Sequence, residues 1–152
     1  MGYIEDIRKL VGNTPLILSS AGVILTNETG QVLLSYRTDT EDWGLPGGYM
    51  EPGETLEETA VRELHEEMSI VVKNLKLFNI FSGPDFQHTY PNGDVVHSVI
   101  AVFLATKWDG KIDVDHKEIK AYEFFHLDKL PEKITKTTGK VLEVYVKGMG
   151  SG

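Results

Sequence analysis

No cysteine occurs anywhere in the 152 residues. That single absence excludes disulfides, thiolate zinc sites and cysteine nucleophiles. Also missing is any apolar run long enough to cross a bilayer, and the opening MGYIEDIRKLVG is amphipathic and acidic, unlike a signal or transit peptide. Basic residues are the minority charge, 15 Lys and Arg against 23 Asp and Glu, for a net charge of −8. Such a chain lacks the basic footprint of a nucleic-acid binder. It is still compatible with a phosphorylated small molecule, because bound divalent cations invert the local charge logic. The five histidines show no metal-ligand spacing. These absences lead to the expectation of a soluble cytoplasmic protein with neither a membrane nor a nucleic-acid partner. No repeat or low-complexity tract is present, and the length suits one domain over residues 1–152, with the closing GMGSG (148–152) read as a frayed tail.

What the chain does have is carboxylates in register. Glu63, Glu66 and Glu67 stand at i, i+3 and i+4, so on a helix they share one face. Unrelieved, like charges so placed cost a few tenths of a kcal/mol per pair, about 0.2–0.5. A solvated face with an ordinary Glu58–Arg62 ion pair is the simplest account. Three neighbouring features argue for more. Gly47-Gly48 and Pro52-Gly53 punctuate the approach, Glu54 is placed in the first turn where the helix dipole favours an anion, and Leu56, Ala60, Leu64 and Met68 form an apolar stripe beside the carboxylates. A helix with a packing side and a carboxylate side is a candidate site for a hard cation, Mg²⁺ or Mn²⁺.

Along the rest of the chain, residues 3–11 read as a helix with Ile4, Ile7 and Leu10 or Val11 on one side. Residues 16–26 and 31–37 read as two strands of a hairpin around the Asn27–Gly30 turn. The carboxylate helix is expected over 56–68. Further extended segments are expected over 70–82, 95–106 and 118–126, with a loop or hairpin tip over 83–94 and a last helix over 134–147. Trp43 is expected in the core. The pattern is one of an α/β fold with a mixed sheet and helices on its faces.

Residues 48–70, GYMEPGETLEETAVRELHEEMSI, resemble the signature of the Nudix hydrolases, G-x5-E-x7-R-E-U-x-E-E-x-G-U, where U is aliphatic. Gly48, Glu54, Arg62, Glu63, Leu64, Glu66, Glu67 and Ile70 fall on it in register; Ser69 replaces the usual Gly. Leu33-Leu34, Arg37 and Trp43 to Gly48 resemble the family's lead-in.

The resemblance implies an α/β/α sandwich and Mg²⁺-dependent hydrolysis, with Mn²⁺ as an alternative metal. The substrate class it implies is a nucleoside diphosphate linked to another group. It places Glu66, Glu67, Glu63 and the Gly47 carbonyl as metal ligands, Glu63 as the favoured general base, and Arg62 with Glu54 as the pair that orients them. Glu118 is a further ligand candidate, balanced against a plain surface glutamate. Arg37 is a candidate for a substrate phosphate, and Phe86 and Tyr90 for stacking on a base, with core packing as their commoner fate. The leading substrate is a nucleoside triphosphate, modified ones included. ADP-ribose, nucleotide sugars and dinucleoside polyphosphates are the alternatives, and a catalytically silent sensor is a third reading that the intact motif disfavours. Family members often dimerise, and no patch in this sequence compels it.

Overall fold

A computed structural model of the protein describes residues 2–150. The elements run α1 (Tyr3–Val11), β1 (Leu16–Leu25), β2 (Val32–Arg37), β3 (Trp43–Gly44), β4 (Gly47–Tyr49), α2 (Leu56–Met68), β5 (Val71–Val72), β6 (Lys76–Phe81), a 3₁₀ turn (Pro84–Phe86), β7 (Gln87–Thr89), β8 (Val95–Ala105), β9 (Trp108–Asp109), β10 (Ile119–Phe125) and α3 (Lys136–Gly150).

The first sheet is ordered β4-β1-β8-β6, with β7 also pairing β8. Its spine is the parallel pair β1–β8, in register from Leu16 opposite Val96 to Leu25 opposite Ala105. Its other pairings are antiparallel, so the sheet is mixed. A second sheet, β10-β2-β3, and a small β5–β9 pair complete the set.

The expected hairpin of β1 with β2 is not formed. The two strands touch through one isolated bridge, Thr26 opposite Val32, and then enter different sheets. The reason lies in the strand itself: β1 is buried almost continuously from Ser20 onward and has β4 on one edge and β8 on the other. No hydrogen-bonding edge is left for β2.

Side-chain alternation divides the core in two. Ala21, Val23, Leu25, Ala101, Phe103 and Ala105 face α2, where Ala60, Leu64 and Met68 close the layer without exposure. Burying Leu64 and Met68 contributes about 1.5–3 kcal/mol each. On the opposite face Ile24 and Val102 meet Val32 and Leu34 of the second sheet and Val141 and Leu142 of α3. Trp43 packs on this second cluster, edge-on to Tyr36 and Phe125. The result is a three-layer α/β sandwich.

Two helix ends depart from expectation. Leu10 of α1 is 85% exposed, so it does not share the inner side with Ile4 and Ile7. At the other end α3 continues through 148–150 rather than fraying there; residues 151 and 152 of the expected tail lie outside the described residues.

Candidate active site

The start of α2 is fixed by a capping box. The Thr55 hydroxyl accepts from the Glu58 amide at 3.0 Å, and the Glu58 carboxylate accepts from the Thr55 amide at 2.8 Å. Glu58 is therefore occupied as a cap, and Arg62 forms its ion pairs with Glu54, Glu63 and Glu66 instead of the expected one with Glu58. The helix ends at Ser69, whose backbone is left-handed (φ 62°, ψ 23°) at the position the signature usually gives to Gly. Its hydroxyl compensates in part by donating to the Asp113 carbonyl at 3.0 Å.

Arg62 organises the carboxylates. Nε and Nη2 donate to the two oxygens of Glu54 at 2.6 and 3.0 Å, Nη1 donates to Glu63 at 2.9 Å and Glu66 at 3.3 Å, and Nη2 also reaches the Tyr49 carbonyl at 3.0 Å. Glu54 lies just before the cap, not in the first helical turn, and accepts in addition from the Glu51 amide and the Thr59 hydroxyl. The Arg62 hydrogen bonds hold its carboxyl down at about 2. One guanidinium thus bridges three acids, leaving the cluster net negative, and ties the preceding loop to the helix.

Glu67 occupies a different environment. It is 2% exposed and accepts a long hydrogen bond, 3.4 Å, from the Gly47 amide. Burial, then the neighbouring Glu63 charge, pushes its carboxyl well above the ordinary value, while Arg37 opposes the shift. Burial likewise raises Glu63, against the pull of Arg62. Contact between the two carboxyls raises Glu67 further and opposes the rise of Glu63.

Glycine makes this proximity feasible. A Cβ on Gly48 would lie 2.6 Å from each Glu63 carboxylate oxygen. Gly47, at φ 151°, would drive a Cβ into the Ala21 backbone.

A cleft of about 500 Å³ opens between the two sheets beside this pair. It brings together Gly47, Glu63, Glu67, Arg37, Glu118, Phe86 and Tyr90. Three other expected site residues, Glu54, Arg62 and Glu66, are not in its lining; Glu66 has a side chain 57% exposed. Phe86 is mainly a core residue, 7% exposed and packed on Phe81, though it reaches the cleft wall. Glu118 is exposed, held through its backbone to Asp115 and Thr38. Arg37 is bound in a fork to Asp39, at 3.1 and 3.4 Å. Tyr90 stands edge-on to His88, and burial with Tyr49 nearby raises its hydroxyl above the ordinary range.

Sequence reasoning passed over several lining residues. Tyr49 and Ser98 share a hydrogen bond at 3.3 Å on the cleft wall, and Thr135 to Thr138 line it from the start of α3. Tyr49 adjoins Gly48 and was within reach of a motif argument. Ser98 and the threonines arrive from distant strands and helices, and nothing local marks them.

As to a metal, among the described residues no three His, Cys, Asp or Glu side chains form a preassembled cage. The donor set nevertheless fits a hard divalent cation. It offers carboxylate and carbonyl oxygen without sulfur or imidazole, and it sets a buried Glu67 beside a half-buried Glu63, two acids whose raised pKa values mark a place where positive charge is called for.

Fold and site together define a domain class, and comparison names it. The NUDIX domain model matches residues 17–145, and the chain belongs to the Nudix family, which generally uses divalent metal cations. Among curated proteins it is 35% identical to an ADP-ribose pyrophosphatase of Methanocaldococcus jannaschii, over 69% of this chain and 57% of that one. It is 43% identical to a putative 8-oxo-dGTP diphosphatase of Bacillus subtilis, over 44% of this chain and 45% of that protein. The chain therefore spans about half the length of these relatives. Among solved structures it resembles the MutT NUDIX hydrolase of Burkholderia pseudomallei, with a TM-score of 0.72 and 30% identity, over 84% of this chain and 96% of that one.

Proposed function

We propose that this protein hydrolyses a diphosphate linkage in a nucleoside diphosphate joined to another group, with a nucleoside triphosphate, modified ones included, as the leading substrate. The observation that carries the reading is the pairing of buried Glu67 with half-buried Glu63 beside Gly47, lining the same cleft as Arg37. An acid pair in a low-dielectric wall calls for positive charge, and a substrate diphosphate brings its own requirement for cations.

Glu63, Glu67 and the Gly47 carbonyl would hold Mg²⁺ or Mn²⁺ from the cleft lining, joined by Glu66 on its release from Arg62 and by Glu118 as a further oxygen donor. Such an ion supplies charge neutralisation at the phosphates and a more acidic water. Arg62, through its bonds to Glu54, Glu63 and Tyr49, fixes the direction of the Glu63 carboxylate. Glu63 takes a proton from the attacking water as the new P–O bond forms, and the bridging P–O bond breaks with its electrons on the leaving phosphate or phosphoester. Arg37 pairs with a phosphate oxygen in exchange for Asp39, and Tyr90 and Phe86 offer ring surface to the base.

A second reading, ADP-ribose as substrate, is favoured by the similarity to the ADP-ribose pyrophosphatase of Methanocaldococcus jannaschii. The deciding experiment is kcat/KM for nucleoside triphosphates, 8-oxo-dGTP, ADP-ribose, nucleotide sugars and dinucleoside polyphosphates with Mg²⁺ and with Mn²⁺. Glu66→Gln and Glu67→Gln are expected to lose turnover by orders of magnitude while remaining folded. No turnover across the panel would favour a silent sensor instead, and full activity of either variant at limiting Mg²⁺ would remove the ligand assignment.

A further inference from the structure

Helix α1 precedes residue 17, where the matched family domain begins, yet it reaches the cleft. At nine residues it is too short to be stable alone, and none of its residues is fully buried. What positions it is Arg8, whose side chain is only 12% exposed. Nη1 donates to the carbonyls of Gly12 at 2.9 Å and Thr14 at 2.6 Å, Nη2 donates to the Val95 carbonyl at 2.9 Å, and Nε lies 3.6 Å from the Asp94 carboxylate.

Asp94 and Val95 bound the tight turn that carries Tyr90. The Tyr90 amide donates to the Asp94 carbonyl, and the Gly93 amide donates back to Tyr90. Asn13, just past α1, presses on the same turn, since a Cβ on Gly93 would lie 3.2 Å from its amide nitrogen. At the other end of α1, the Gly2 backbone lies against Glu51, a cleft-lining residue of the loop before α2. The helix thus runs from the loop of Glu51 to the turn of Tyr90, both cleft-lining residues, and Ile4 on its inner side is part of the lining.

We infer that α1 is a strap across the cleft that limits the bulk of the group attached to the nucleoside diphosphate, with Ile4 as the size-determining side chain and Arg8 as the positioning residue. This deepens the proposed hydrolase reading and rests on it for the choice of substrates. Arg8 touches no cleft atom; it acts by holding α1 and the Tyr90 turn together. An apolar wall residue of this kind discriminates by steric fill, which is worth roughly tenfold or more per methylene-scale change.

The test compares a compact and a bulky nucleotide, adenosine triphosphate and diadenosine tetraphosphate, on the full chain. The readouts are the ratio of their KM values and the hydrogen-exchange rates of the Tyr90 and Gly93 amides. Ile4→Ala is expected to lower the bulky-to-compact KM ratio by roughly tenfold, and Ile4→Trp to raise it. Arg8→Ala is expected to follow Ile4→Ala and also to speed exchange at Tyr90 and Gly93. Opposite shifts from the two Ile4 variants cannot come from general misfolding, so that pair decides the matter even if Arg8→Ala fails to fold. A ratio constant within about twofold across the Ile4 variants, far below the expected discrimination, overturns the strap. If the wild type hydrolyses neither nucleotide, the hydrolase reading fails for them, and the same ratio is read from calorimetric Kd values. Binding of neither, or an unchanged Kd ratio, overturns the strap on its own terms.

Discussion

Adding one methyl group at Gly48 should separate catalysis from folding. Gly48 is absent from the residues with positive φ, so its backbone accepts alanine. The new Cβ, however, would lie 2.6 Å from both Glu63 carboxylate oxygens, where ordinary contact begins near 3.4 Å. The carboxyl carbon would lie closer still, so the carboxylate must retreat by about 1 Å, a shift that a flexible side chain can make. Overpacking of this sort costs about 1–3 kcal/mol, and the lower end applies because no backbone has to move. A misplacement near 1 Å at the reacting groups costs roughly 10²-fold in rate. Gly48→Ala should therefore remain folded, melt only a few degrees lower, and lose about two orders of magnitude in kcat. Gly47→Ala is the control with the opposite balance. Its Cβ would meet the Ala21 carbonyl oxygen and lie 2.8 Å from the Gly22 Cα, and neither backbone atom can yield without breaking the β1–β4 ladder. Positive φ adds about 1–2 kcal/mol, and a total above ~4 kcal/mol is expected to abolish the folded state. The assay is steady-state turnover beside urea denaturation of the three proteins. Wild-type kcat in Gly48→Ala, or equal destabilisation by both alanines, would refute the account of why the two glycines are needed.

Three further outcomes are expected. Glu54, held at about 2 against an ordinary 4.5, contributes stability that is complete above the ordinary value and is lost as pH falls through about 2. With its partial exposure discounted, the Arg62 pairing is worth about 1–2 kcal/mol, so Glu54→Gln should flatten acid denaturation across that window; an unaltered acid limb would contradict it. Glu67 has the opposite sign. Its folded pKa is raised, so its contribution is present below the ordinary carboxylate value and is lost as pH rises through the folded one, and Glu67→Gln should reduce that slope in metal-free protein. Chemical denaturation in chelator at a series of pH values reads it, and an undiminished slope counts against Glu67 as the source. Ser69→Ala keeps the left-handed strain and loses the bond to the Asp113 carbonyl, costing about 1 kcal/mol, whereas Ser69→Gly trades strain, bond and chain entropy to near neutrality. A melting temperature of Ser69→Ala equal to that of the wild type would show that the hydroxyl contributes nothing.

How legible the protein was from its sequence depended on whether the information was local. The span of α2 was readable to the residue, because its apolar stripe, cap and exit are all encoded within the helix and its flanks. Glu63, Glu67, Gly47 and Arg37 line one cleft. The β1–β2 pairing misled because the Asn27–Gly30 turn specifies only a reversal, not which strand receives the returning hydrogen bonds. The unbroken apolar run of β1 was the better signal, since a strand buried on both faces belongs in the middle of a sheet. Glu66 shares the helical face with Glu63 and Glu67, yet Arg62 draws it outside the cleft, a competition that spacing alone does not resolve. Phe86 reads as a loop aromatic and is mostly core, because the 3₁₀ turn folds it against Phe81.

The parallel pairing of β1 with β8 also sets an order of events during synthesis. β1 leaves the ribosome some eighty residues ahead of its partner, which along the whole length from Leu16 to Leu25 lies at residues 96–105. Contacts of such sequence separation form late and slowly. A nascent chain ending before β8 would carry the complete glutamate helix with half of its supporting layer, Ala101, Phe103 and Ala105, still unmade. The carboxylates would be present in the sequence long before they are held at cleft geometry. Capacity to bind a cation at this site should thus appear abruptly, once roughly the last third of the polypeptide has been made and docked.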